Sequence, residues 1–186
     1  MSCGLEGDWG KLANILDPKR MQAKMSVTTK RAGVHAASAV KKGIISGAPG
    51  GIPFAPLSKL TEERRPKGTD NGKGHKPLVD QGDLVGSITH EDVGLNTVWV
   101  GVKKGSRSKS GENLVDIAWV HEFGCTIGVT EKMRAYLHSQ GVNLKKSTRY
   151  IRIPERSFLR ATLNDPTFRE EIGGKYLDAL KELFLP

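Results

Sequence analysis

His121 and Glu122 are adjacent in Ala118-Trp119-Val120-His121-Glu122-Phe123-Gly124, the pairing that opens the helical zinc-protease signature. That chemistry needs a second histidine at helical spacing so that two imidazoles face one metal, and none follows; Phe123-Gly124 ends the helix instead. Cys125 has His121 nearby as a base, but a nucleophile needs a strand-to-helix elbow and a third group to orient the base, and neither is recognisable. A small buried thiol is the simpler role for Cys125. The other histidines, at 35, 75, 90 and 138, are scattered, and no paired carboxylates or dinucleotide fingerprint appears. Glycines crowd residues 46–53 without the Gly-Lys-Ser/Thr ending of a phosphate-binding loop. The expectation is a protein that is not an enzyme and carries no metal or cofactor. His121 and Glu122 then serve to hold their helix and its neighbours.

The elements around these residues are dense between Pro77 and Gly124. Leu84, Val85 and Ile88 recur at helical spacing behind Asp80, a candidate N-cap, which predicts a helix of one or two turns. Val98, Val100 and Val102 fall on one face at period two, so Thr97–Val102 reads as a strand, paired with Ser87–Val93 across a Gly94-Leu95-Asn96 turn. Leu114–Phe123 reads as a helix with Val115, Ala118, Trp119 and Phe123 on one face and Gly124 as its stop. Trp99 and Trp119 are both expected in the core, Trp99 only if the sheet is covered on both sides.

On the N-terminal side, Trp9, Leu12, Ala13 and Leu16 line a short amphipathic piece. Asp17-Pro18 then starts a long helix reaching Ser46, with Met21, Met25, Ala32, Ala36, Val40 and Ile44 as its apolar stripe. Ser58 caps a short helix that Pro66 stops. On the C-terminal side, Thr130–Gln140 is a helix stopped by Gly141, and Arg149–Ile153 alternates as a strand. Pro154–Leu163 begins a helix, and Asp165-Pro166 starts a last one whose broad apolar face, Phe168, Ile172, Tyr176, Leu177, Leu180 and Phe184, needs the sheet to cover. The fold class is therefore α+β: one domain, 1–186, with a small antiparallel sheet covered by the long N-terminal and the C-terminal helices. Loops at about 46–56, 66–76 and 103–112 are expected to be extended and flexible.

Composition bounds the partners. The chain has 186 residues, 37% hydrophobic and 26% charged, and no apolar run approaches the roughly eighteen residues of a membrane span. The first eight residues lack the basic and apolar regions of a secretory signal, so assembly in cytoplasm is expected. Cys3 and Cys125 are too few for a disulfide framework and read as free thiols. Net charge is +9, and the first 79 residues hold 14 Lys and Arg against 6 Asp and Glu. Such a field attracts nucleic acid, an acidic protein ring or an anionic surface alike. On the long helix the positive residues fit either a grip on phosphates or a solvated outer face.

Five blocks stand in order: Phe54-Ala55-Pro56-Leu57-Ser58; Lys76 to Ile88, reading KPLVDQGDLVGSI; Val98-Trp99-Val100-Gly101; Ala118 to Gly124, reading AWVHEFG; and Ile153 to Leu159, reading IPERSFL. Together they resemble the tail-completion, or virion morphogenesis, proteins of tailed bacteriophages across roughly residues 54–163. The piece from Cys125 to Lys146, with its own helix, departs from that pattern. The resemblance implies a structural virion protein of the phage neck, assembled in host cytoplasm as a homo-oligomeric ring, taken as a hexamer. The ring would join the head-side connector to the tail terminator or tube proteins, with passing DNA as a further candidate contact and no membrane. Lys73, Lys103, Lys104, Arg107 and Lys109, on the polar loops, are the candidate partner contacts. A nucleic-acid-binding module using the basic N-terminal half is the alternative, and a hydrolase using His121 and Glu122 the third reading.

Overall fold

The computed structural model describes residues 7, 10, 17–64 and 76–184. Trp9, Leu12, Ala13 and Leu16 of the expected first piece, Cys3, Lys73 and almost all of the 66–76 loop lie outside the described residues. Helix α1, Pro18–Ser46, starts where Asp17 accepts the Lys19 amide at 3.1 Å and stops at Gly47 in the left-handed region. Its buried residues, from Thr28 and Thr29 through Ala32, Gly33, Ala36 and Ala37 to Val40 and Ile44, spread wider than one stripe because the helix has several neighbours. One is a β-hairpin, β1 (Ile88–Gly94) with β2 (Thr97–Val102), antiparallel from Ile88 opposite Val102 to Gly94 opposite Thr97 with a bulge between Asp92 and Gly94. A Cβ on Gly33 would run into the Val98 side chain, so the missing side chain lets α1 lie close on β2.

Another neighbour is the last helix, α7 (Pro166–Phe184), begun by Pro166 and by Asp165 accepting the Thr167 amide at 3.1 Å. It lies along α1. Tyr176 and Thr29 share a hydroxyl hydrogen bond of 2.8 Å, His35 stacks on Phe168 with ring centroids 5.8 Å apart, and Lys24 pairs with Glu182. Phe168, Ala179 and Leu183 are the buried positions, whereas Leu177 and Phe184 of the expected face are exposed.

Between these two helices in sequence, α2 (Lys59–Arg64) is capped by Ser58, which accepts the Thr61 amide. Helix α3 (Asp83–Ser87) starts after Gly82 rather than at Asp80: Gly82, at φ +84, makes the turn, and no side chain caps it. Helix α4 (Leu114–Phe123) is capped by Asn113 and stopped by Gly124 at φ +72. Beyond it the chain forms a strand that alternation did not indicate, β3 (Cys125–Gly128), then α5 (Glu131–Ser139) capped by Thr130, then β4 (Tyr150–Ile153) paired antiparallel with β3. The strands therefore form two separate two-stranded sheets rather than one. Pro154–Ser157 is not helical; α6 covers only Leu159–Asn164.

The core gathers Val40 and Ile44 of α1, Leu78, Val79, Leu84, Ile88, Val102, Leu114, Ala118 and Phe158. Two expected arms are built into the body. Pro49 is buried in a short 3-10 turn, Pro49–Gly51, and a Cβ on Gly50, at φ +57, would collide with the Ala161 carbonyl of α6. The 103–112 loop is internally hydrogen-bonded: Leu114 N donates to Ser106 O, Ser108 N to Glu112 O, and Lys109 N to Asp83 Oδ2 at 2.9 Å.

Candidate functional site

Helix α4 turns Leu114, Ala118 and Glu122 inward, one turn apart on a single arc. Glu122 is thus a carboxylate only 4% exposed, aimed at the start of α6. Its oxygens accept the amides of Phe158 at 2.8 Å, Leu159 at 3.0 Å and Arg160 at 2.9 Å, the Ser157 hydroxyl at 2.7 Å and Arg160 Nε at 3.2 Å. These amides are the orphan donors of a helix N-terminus, which favours a negative charge. Burial alone raises the carboxyl's pKa. The bonds from the Arg160 amide, the Ser157 hydroxyl and the Leu159 and Phe158 amides outweigh it, holding the group below the usual carboxylate range. With its lone pairs occupied this way, Glu122 is an anchor and not a base awaiting a proton. This is also why α6 begins at Leu159: the capping group comes from another helix, not from Pro154.

Two arginines complete the joint. Arg156, itself buried, donates from Nε to Ala55 O and from Nη2 to Pro56 O, each at 2.8 Å, and its amide donates to His121 O at 2.7 Å. Arg160 donates from Nη2 to Glu122 O at 2.8 Å and to Glu155 Oε1 at 2.7 Å. Residues 54–58, the end of α4 and residues 153–160 are thereby tied at one place. Glu122 does hold its helix to a neighbour, as the sequence leads one to expect, but its burial on the core arc and the parts played by Arg156 and Arg160 lie outside that expectation. The available signal was the i, i+4 spacing Leu114, Ala118, Glu122, which puts a carboxylate on the arc that begins with the most buried leucine.

The expected burial of the tryptophans does not hold. Trp119 is 59% exposed and Phe123 50%, because the buried arc of α4 lies one residue, about 100°, round from the one they occupy. Trp99 is 38% exposed, its ring against Gly101 of its own strand, on the face of β2 opposite Val98 and Val100. Trp119 and Phe123 form a tilted pair, centroids 5.6 Å apart, and the Arg160 guanidinium lies 4.7 Å above the Phe123 ring. The result is an exposed aromatic patch whose geometry is held from beneath by the Glu122 joint.

The basic residues are distributed differently. Lys103, Lys104, Arg107 and Lys109 are all exposed on the pinned loop, and Arg107 donates to Gly111 O at 2.8 Å. On α1, Lys24 and Lys30 are engaged within the chain, Lys30 with Asp92 at 3.0 Å. Cys125 is a half-buried free thiol in β3. Among the described residues no three His, Cys, Asp or Glu side chains converge as a metal site would require. No helix is long and apolar enough to cross a membrane among the described residues. On the side of α4 away from the aromatic patch, a groove of about 810 Å³ opens between α3, α4, the 140–144 segment and β4. No family model, curated protein or solved structure matches the chain.

Proposed function

We propose that the chain is a structural virion protein of a tailed-phage neck, a tail-completion ring subunit that joins the head connector to the tail and performs no catalysis. The observation that carries this reading is the aromatic patch. Trp119 and Phe123 are costly to leave in water, and Arg160 and Glu122 keep them in one orientation, which suits a surface made to meet another protein. A second support is the use made of the five ordered blocks. Their residues supply core positions such as Leu78, Leu84, Ala118 and Phe158 and the Glu122–Arg156 joint, so what they specify is a shape.

The test is the assembly state, by light scattering, of the chain alone and with head-connector and tail-terminator proteins. A ring subunit assembles under these conditions, and Trp119→Ser weakens assembly without unfolding the chain. A second reading, binding to nucleic acid, is favoured by the four exposed cations between Lys103 and Lys109. It predicts DNA binding by a monomer that falls steeply with salt.

A further inference from the structure

The groove beside α4 has walls of Leu114, Ile117, Leu137, Val142 and Leu144, and along one side it is lined by Ile151, Arg152 and Ile153 of β4. Side chains of a strand alternate between faces, so three consecutive residues bordering one groove share only the strand's edge. The hydrogen-bond phase says which backbone groups lie there. Val129 N donates to Arg149 O at 2.8 Å, in register with the β3–β4 pairing. Bonded pairs in an antiparallel ladder recur at every second residue, so Ile151 and Ile153 turn their N–H and C=O toward β3. Tyr150 and Arg152 turn theirs away from it, toward the groove edge, and no third strand occupies that edge among the described residues.

The β1–β2 hairpin offers the complementary piece. It is also two-stranded, and β1 leaves the core at Ile88 and is exposed from His90 to Gly94. Its exposed part carries Glu91 and Asp92 and then two apolar side chains in water, Val93 at 59% and Leu95 at 63% exposure. The β4 edge carries Arg152, which is exposed and turns its backbone groups outward. We infer that a second copy of this chain lays its β1 edge along β4 with Glu91 opposite Arg152, so that the two side chains share one face, and with Val93 and Leu95 entering the groove. Main-chain hydrogen bonds supply the pairing, the charges set its register, and the apolar ends supply burial. Because β1 and β4 are different surfaces, the contact is head-to-tail and repeats from copy to copy, as a closed ring requires. The inference rests on the ring reading above and supplies its contact.

Charge exchange tests it. Glu91→Arg and Arg152→Glu, both at exposed positions, each place like charges across the contact and should weaken self-association by on the order of tenfold or more. An equimolar mixture of the two variants restores opposite charges at every contact and should recover wild-type assembly in light scattering. Recovery on mixing also shows that both variants are folded. If either single variant assembles as the wild type does, or the mixture fails to recover, the β1–β4 contact is wrong while the ring reading stands. A wild type that stays monomeric even with connector and terminator proteins sinks both. Loss of partner binding in Leu144→Asp with self-assembly intact gives the groove to a different protein, and likewise overturns the second-copy contact.

Discussion

Glu122 shows how a residue that looks chemical is used for structure. Its carboxylate is held ionised by three helix-terminal amides, a hydroxyl and a guanidinium, and its pKa lies below that of a free glutamate, near 4.3. A depressed folded-state pKa means that the unfolded chain takes up the proton first as pH falls. The stability that Glu122 contributes is therefore complete above about pH 4.3 and is lost as pH drops from there through the folded value. Glu122→Gln keeps the size but sets an amide N–H₂ against amide donors, and it should cost about 3 kcal/mol at neutral pH, leaving the variant flatter than the wild type across that acid window. Urea titrations of both proteins between pH 3 and pH 7 check the sign and the size. Trp119 gives the converse case. With 59% of its surface already in water, Trp119→Ala should cost under about 1 kcal/mol in the isolated chain, measured by denaturant titration, yet reduce assembly with neck proteins.

Among the elements, those with local signals were legible. Asp17-Pro18 and Asp165-Pro166 start α1 and α7, Ser58, Asn113 and Thr130 cap shorter helices, Gly47 and Gly124 end two, and alternating valines mark β2. What could not be read depends on distant partners. β3 is four residues long, Cys-Thr-Ile-Gly, and is a strand only because β4, more than twenty residues later, pairs with it. Helix α6 starts where a carboxylate from α4 waits, and the glycine-rich 46–53 segment, which suggests slack, is packed into the body where Gly50 fits under a carbonyl of α6. The approach of α1 to the hairpin rests on another such fit. Gly33→Val would drive methyl groups into Val98 and should cost about 2–3 kcal/mol despite valine's absence of polar atoms. A thermal melt compared with Gly33→Ala, which intrudes less, separates this collision from any change in helix propensity, since propensity alone favours both substitutions.

For the whole molecule, the described structure has one core, formed where α1, α3, the base of the hairpin, α4 and Phe158 meet, and it keeps its more distinctive chemistry on the outside. The exposed aromatic pair, the four cations between Lys103 and Lys109 and the outer edges of two short sheets all lie at the surface, while Glu122 and Arg156 are occupied within the chain. A subunit of an assembly should associate through apolar contacts that persist in salt, whereas a DNA-binding module should lose affinity steeply, with log K falling by about 0.9 per phosphate contact for each log unit of salt. The most direct measurement is the mass in solution, by light scattering at low and at physiological salt, of the 20.3 kDa chain with connector and terminator proteins, alongside a duplex-DNA titration under the same conditions. A ring subunit should give a closed multiple of the chain mass that survives physiological salt, with DNA binding weak and insensitive to sequence. A chain that remains monomeric with every neck protein and binds DNA at submicromolar concentration in physiological salt would contradict the ring reading.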